Sequence, residues 1–177
     1  EQKKLLIITY YFPPAGGPGV QRWLKFVKYL PEFNVQPIVY VPENPTYPIV
    51  DEGLVSEVSD KVIVLKNKIW EPYQLASVFS KNKTKKISSG IFPQKKKQTF
   101  LDKTFLWVRG NLFIPDARVF WVKPSVSYLE KYIRENNIDT IVTSGPPHSL
   151  HLIGLELQQK LKVKWFADFR DPWTTIG

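Results

Sequence analysis

The chain of 177 residues has no cysteine, no methionine and only two histidines, His148 and His151. Without cysteine there is no disulfide framework, no thiolate metal site and no thiol nucleophile, a composition that fits a reducing cytoplasm. At their spacing His148 and His151 could bind a metal, but without a third ligand the signal is weak. No apolar run reaches the roughly 18 residues of a spanning helix, and the first residues lack the apolar core of a signal peptide, which predicts a soluble chain. The missing initiator methionine predicts a processed or trimmed product.

Acidic residues are also scarce in one place. None occurs between Glu71 and Asp102, whereas Lys81, Lys83, Lys85, Lys86, Lys95, Lys96 and Lys97 all fall there, and the whole chain carries a net charge of +9. The lysines sit among Ser, Thr, Gln, Gly and Pro. One reading is a long solvated loop. The other is attraction of Lys81–Lys97 to anionic headgroups at the inner face of a membrane, where each basic residue is worth about 1 kcal/mol. No motif that reads RNA or DNA appears, and no nucleic-acid partner is expected.

What remains is the composition of one globular domain, 43% hydrophobic and 14% aromatic. Its patterning alternates. Lys4 to Tyr10 reads as a buried strand, and Val20, Trp23, Leu24, Val27 and Leu30 fall at helical spacing over 19–30, ended by Pro31. Residues 35–41 form a second strand, with Pro37 unfavourable near its start, and Val62 to Leu65 a third. After an interruption at about 70–118, read as a Lys-rich insertion with one or two helices, alternation resumes. A helix with Val122, Val126, Leu129 and Ile133 stops at Asn136-Asn137. Then come a strand over 139–143, a helix with Leu150, Ile153, Leu157 and Leu161, and a last, interior strand over 163–168. Strands separated by helices predict an α/β, Rossmann-like, doubly wound and mostly parallel sheet in a single domain over 1–177.

Chemistry in such a fold belongs at the carboxyl ends of the strands. Three segments reach that edge: the Pro/Gly turn after the first strand (Gly16, Gly17, Gly19, Arg22), the run Ser144-Gly145-Pro146-Pro147-His148, and Asp168-Phe169-Arg170-Asp171-Pro172-Trp173. The turn departs from the dinucleotide fingerprint, because Arg22 stands at its third glycine and Tyr40-Val41-Pro42 supplies no ribose-binding acid. The glycines serve either a ligand or a tight turn only. His148 is a candidate for ligand contact or acid/base work, or else caps or orients the following helix. Asp168, Arg170 and Asp171 either fix their loop as an ion pair or offer a carboxylate that accepts a hydroxyl proton.

Taken together, Tyr-Tyr-Phe-Pro-Pro with Gly-Gly-x-Gly-x-x-Arg, Thr-Ser-Gly-Pro-Pro-His-Ser and Asp-Phe-Arg-Asp-Pro-Trp resemble the N-terminal half of bacterial glycosyltransferases. The similarity is to retaining enzymes of two-Rossmann-domain (GT-B) architecture, in the group-1/family-4 class that builds surface polysaccharides, and it covers nearly all the chain apart from the lysine-rich middle. The resemblance implies an acceptor-side domain, a nucleotide-sugar donor held mainly by a C-terminal domain, a glycan or lipid-linked acceptor, and no metal requirement. It implies that Gly16, Gly17 and Gly19 approach the donor phosphates and the acceptor, that Arg22 contacts an anion, and that His148 lies beside the acceptor, with Ser144 a further substrate-binding candidate and Arg170 accompanying the acids of the last turn. It implies Asp171 and Asp168 as the acidic residues facing the reacting sugar, where many relatives carry a histidine or an Asp-containing turn. Lacking the donor half, residues 1–177 alone are expected to be inactive. A noncatalytic α/β module that binds an anionic partner is the competing expectation.

Overall fold

A computed structural model describes residues 2–69 and 115–170. Five strands, β1 (Lys3–Thr9), β2 (Val35–Pro42), β3 (Ile63–Asn67), β4 (Thr140–Ser144) and β5 (Lys164–Asp168), form one parallel sheet in the order β3-β2-β1-β4-β5. Among the described residues three α-helices accompany it: α1 (Pro18–Tyr29), α2 (Val122–Asn136) and α3 (Leu150–Leu161). Short 3-10 turns occupy Leu30–Phe33, Glu52–Glu57 and Val119–Trp121.

The period-2 geometry of β1 divides the core between two faces. Leu6, Ile8 and Tyr10 point to one side and pack with Ile38, Tyr40, Trp121 and the apolar stripes of α2 and α3. Ile7 points to the other side and packs with Val39, Val142, Trp23 and Val27 beneath α1. Helices on both faces of a parallel sheet make the expected Rossmann-like α/β fold. Burying Trp23, Leu24 and Val27 of α1 stabilises the chain by roughly 1.5–3 kcal/mol apiece.

Several boundaries differ from expectation. Pro37 is accommodated because it pairs with Leu5 of β1, while the β3 ladder begins only at Ile38. Among the described residues β5 is an edge strand rather than an interior one, and its Phe166 is 61% exposed. The third strand runs two residues further than its apolar run, as Lys66 and Asn67 continue the pairing with Val41 and Pro42. The expected insertion is shorter at its carboxyl end. Asp116 bonds Ser149 and Ala117 is buried, so residues 115–118 belong to the domain. The rest of that insertion, 70–114, including Lys81–Lys97, lies outside the described residues. The stop of α2 at Asn137 holds, through a left-handed residue at φ 52° that closes the helix.

Candidate functional site

Successive strands run from β1 outward through β2 to β3, and then resume on the opposite side with β4 and β5. The order therefore reverses between β1 and β4, and the crevice beyond the carboxyl ends of these two strands is where open α/β sheets take ligands. The turn between β1 and α1 forms one side of it. Gly16 N donates to Ile49 O at 3.0 Å and Asp51 N to Pro14 O at 2.8 Å, so the segment around residue 50 clasps the turn from behind. Gly17 starts α1 at φ 109°, a conformation glycine takes at no steric cost. At Gly19 the need is for space: a Cβ there would lie 2.8 Å from Arg170 Cζ. The missing side chain lets the Arg170 guanidinium lie against the first turn of α1.

That first turn carries no acidic residue and no side-chain cap. Its partial positive charge is left beside two cations, Arg170 and Arg22. Arg170 is held by donating from Nε to Gly145 O at 2.5 Å. Arg22 is half exposed and pairs with Asp168, Nη1 to Oδ1 at 3.2 Å.

Asp168, Ser144 and Trp23 form a closed polar knot. Ser144 Oγ donates to Asp168 Oδ2 at 2.8 Å, and Trp23 Nε1 lies 2.6 Å from Ser144 Oγ and 3.3 Å from Asp168 Oδ2. Thr9, Ser144 and Asp168 share one register row across β1, β4 and β5, so the sheet itself aligns them. With both oxygens engaged, Asp168 ties β4, β5 and α1 together at the floor of the crevice. Nothing in sequence marked Trp23 for this, since it also satisfies the apolar spacing of α1; an indole N–H under a strand end is the cue that its polar atom needs a partner.

On the far side of β4, Gly145 N donates to Asp168 O at 3.2 Å and leads into Pro146-Pro147-His148. His148 is half-buried. Its ring lies 6.2 Å from Phe169 and 6.2 Å from His151 in stacked orientations, and both histidines border Gly145, where a Cβ would lie 2.8 Å from His151 Nε2 and 3.4 Å from His148 Nδ1. Among the described residues no group of three His, Cys, Asp or Glu side chains is disposed to hold a metal. His148 joins the start of α3 through its backbone, its O accepting from His151 N at 3.0 Å, while side-chain capping of the helix is another residue's task. That task falls to Asp116, whose carboxylate accepts from Ser149 N at 2.8 Å and from Ser149 Oγ at 2.9 Å. This partner, 33 residues away in sequence, left no local signal.

His151 is buried and serves the same edge from beneath. Thr143 Oγ1 accepts from Trp165 Nε1 at 2.9 Å and lies 2.8 Å from His151 Nδ1. The network assigns the Thr143 hydroxyl proton to Nδ1 and the imidazole proton to Nε2. Nε2 has no hydrogen-bond partner among the described residues. Burial, and then the neighbouring His148, press its pKa down to about 4, against smaller opposing pulls from Asp168 and Asp116. His151 is thus a neutral packing element under Gly145 and Phe169, whose ring stacks on it at 4.0 Å.

The edge therefore gathers Gly16, Gly17, Gly19, Arg22, Ser144, His148, Asp168 and Arg170, while Asp171 lies outside the described residues. A separate depression of about 500 Å³, lined by Lys28, Glu32, Glu57 and Asp60 among others, sits at the amino ends of the strands, remote from these groups. No protein-family model matches the chain, and no curated protein matches it.

Proposed function

We propose that this domain is the acceptor-side half of a retaining sugar transferase, using a nucleoside diphosphate sugar as donor and a glycan or lipid-linked acceptor. The observation that carries the reading is the open, cationic start of α1. Gly17 and Gly19 present backbone beside Arg170 and Arg22, at the point where the strand order reverses. Such a corner suits a diphosphate, since helix N-termini and guanidinium groups favour anions with several acceptor oxygens. Retaining transfer through a sugar cation asks the protein mainly for charge stabilisation, and a clamped leaving diphosphate meets that demand.

In this reading Arg170 and the Gly19 amide hold the leaving phosphate, Arg22 adds charge at the rim, and His148 faces the acceptor hydroxyl. Ser144 and Asp168 position Trp23 and Arg22 rather than abstract a proton, because both carboxylate oxygens are already occupied. Asp171 is the remaining acid for proton transfer. A second domain would supply most of the donor contacts. Peripheral contact with an anionic bilayer through Lys81–Lys97, at the cytoplasmic face, would bring a lipid-linked acceptor to the edge.

The test is sugar transfer by the full gene product, assayed with a panel of nucleoside diphosphate sugars and lipid-linked acceptors. Turnover that falls at least about tenfold in Gly19→Ala, with folding intact, supports the reading. An intact, folded gene product with no transfer from any donor, yet with diphosphate bound at this corner, would instead favour a noncatalytic anion-binding module.

A further inference from the structure

The flank of α1 and the turn after it leave three aromatic rings in solvent. Phe26 and Tyr29 are each 48% exposed, and Phe33, in the Leu30–Phe33 turn, is 76% exposed. They follow one another at spacings of three and four residues, so they share one side of the element. With Leu5, Trp23 and Leu30 they line a shallow groove of about 240 Å³. Phe166 of β5, also exposed, lies on the same sheet face as Leu5, because the register aligns it with Val142 and Ile7. A concentration of half-exposed rings on one small domain marks a surface that meets something apolar.

The charges around the groove decide what that is. Helix α1 contains Arg22, Lys25 and Lys28 and no acidic residue. The Arg22 guanidinium sits 5.6 Å from the centre of the Phe26 ring, and Lys28 Nζ sits 5.9 Å from the centre of the Tyr29 ring. Cations seated beside amphipathic rings are the arrangement of an element that lies in a bilayer interface, rings at the acyl boundary and cations at the headgroups. Lys25, one turn before Tyr29, is paired with Glu57 at 2.6 Å, and Glu32 beside Phe33 is the one acidic residue of the adjoining turn.

We infer that the α1 flank and the Leu30–Phe33 turn dock on an anionic lipid surface, with Phe26, Tyr29 and Phe33 inserted at the acyl boundary and the apolar groove taking part of a lipid tail. Trp23 connects the two regions: its ring lines the groove while its Nε1 reaches Ser144 and Asp168 at the crevice floor. A lipid seated there would have its headgroup side directed toward the candidate site. The inference goes beyond the lysine-rich segment as a membrane contact, and it does not depend on sugar transfer, since vesicle binding is read with no sugar present.

The experiment is flotation of the full chain with vesicles of phosphatidylcholine plus phosphatidylglycerol, and with phosphatidylcholine alone. The triple variant Phe26→Ser, Tyr29→Ser, Phe33→Ser is expected to bind the anionic vesicles at least about tenfold more weakly, since each ring gives up buried apolar area. The variant Lys95→Ala, Lys96→Ala, Lys97→Ala separates the two basic regions and is expected to keep its dependence on the three rings. Because the chain has no cysteine, Phe33→Cys carries a single environment-sensitive fluorophore, whose emission is expected to shift to the blue on vesicles. Where the triple variant loses its fold by circular dichroism, Phe33→Ser alone replaces it. Unchanged binding in the ring variants, an unshifted fluorophore, or no vesicle binding by the native chain would overturn the inference. So would a self-associated native chain that the ring variants convert to monomer, because the rings would then cover a second copy.

Discussion

Two strand-to-helix corners flank the same crevice and resolve the same electrostatic problem in opposite ways. After β4, the start of α3 receives the Asp116 carboxylate, which accepts from both Ser149 N and Ser149 Oγ. After β1, the start of α1 has neither a carboxylate nor a side-chain cap, and it lies against Arg170 instead. Stability favours a negative group at a helix N-terminus. A domain that supplies one at α3 and withholds it at α1, adding cations there, leaves the second corner for an anion from outside. Under the proposed function, the α3 corner is structural and the α1 corner is the one that takes the ligand.

The strongest way to break this comparison is to remove the acid at α3. Asp116→Ala strips the cap and leaves a buried Ser149 hydroxyl without its acceptor, so urea unfolding should show a loss of about 2–3 kcal/mol. Asp116→Asn, which keeps an acceptor oxygen, should lose less. A stability change below about 0.5 kcal/mol for Asp116→Ala would make the two corners equivalent after all.

Next in size is a pH effect confined to the structural side. His151 is held at about 4 in the fold, against an ordinary 6.5. The unfolded chain therefore binds the extra proton first as pH falls, so stability declines below about pH 6.5 and levels off only near pH 4. At pH 5 the expected loss relative to pH 7 is about 2 kcal/mol from this group. His151→Gln should remove that component from the difference between urea curves at the two pH values. An identical pH dependence in the variant would show that His151 is not the group responsible.

The smallest effect belongs to Arg22. Its pair with Asp168 is half exposed on the arginine side and contributes within about 1 kcal/mol. Arg22→Gln should leave the melting temperature nearly unchanged yet weaken binding of inorganic pyrophosphate several-fold. A marked loss of stability with unaltered pyrophosphate affinity would place Arg22 on the structural side of the comparison.

Much of this architecture was legible in the residues themselves. Interior parallel strands announce themselves as unbroken Leu/Ile/Val runs, and α1 and α2 by their apolar spacing, because burial on both faces of a sheet leaves no other pattern. The carboxyl edge followed from topology alone, and Ser144, Asp168, Arg170 and the glycine turn do meet there. What escaped were partners made by long-range folding. Asp116 and Ser149 are far apart in sequence, Trp23 reads as plain core until its indole nitrogen is followed to Ser144, and His151 is set apart from His148 only by the fold, which buries it against Thr143. The edge position of β5 escaped as well, since its apolar residues read as interior; in the fold Phe166 lies in the Ile7 row, on the sheet face that α1 packs against, yet is 61% exposed. The lysine-rich middle and Asp171 lie outside the described residues.

The claim that the α1 corner is open to an anion and the α3 corner is closed can be tested directly by amide chemical-shift mapping of the full chain titrated with inorganic pyrophosphate. The account predicts saturable shifts at Gly17, Gly19, Val20 and Gly145 together with the Arg170 side chain, abolished in Gly19→Ala, and no comparable shifts at Ser149, Leu150 or His151. Shifts centred on Ser149 to His151, or none in the α1 turn, would contradict it.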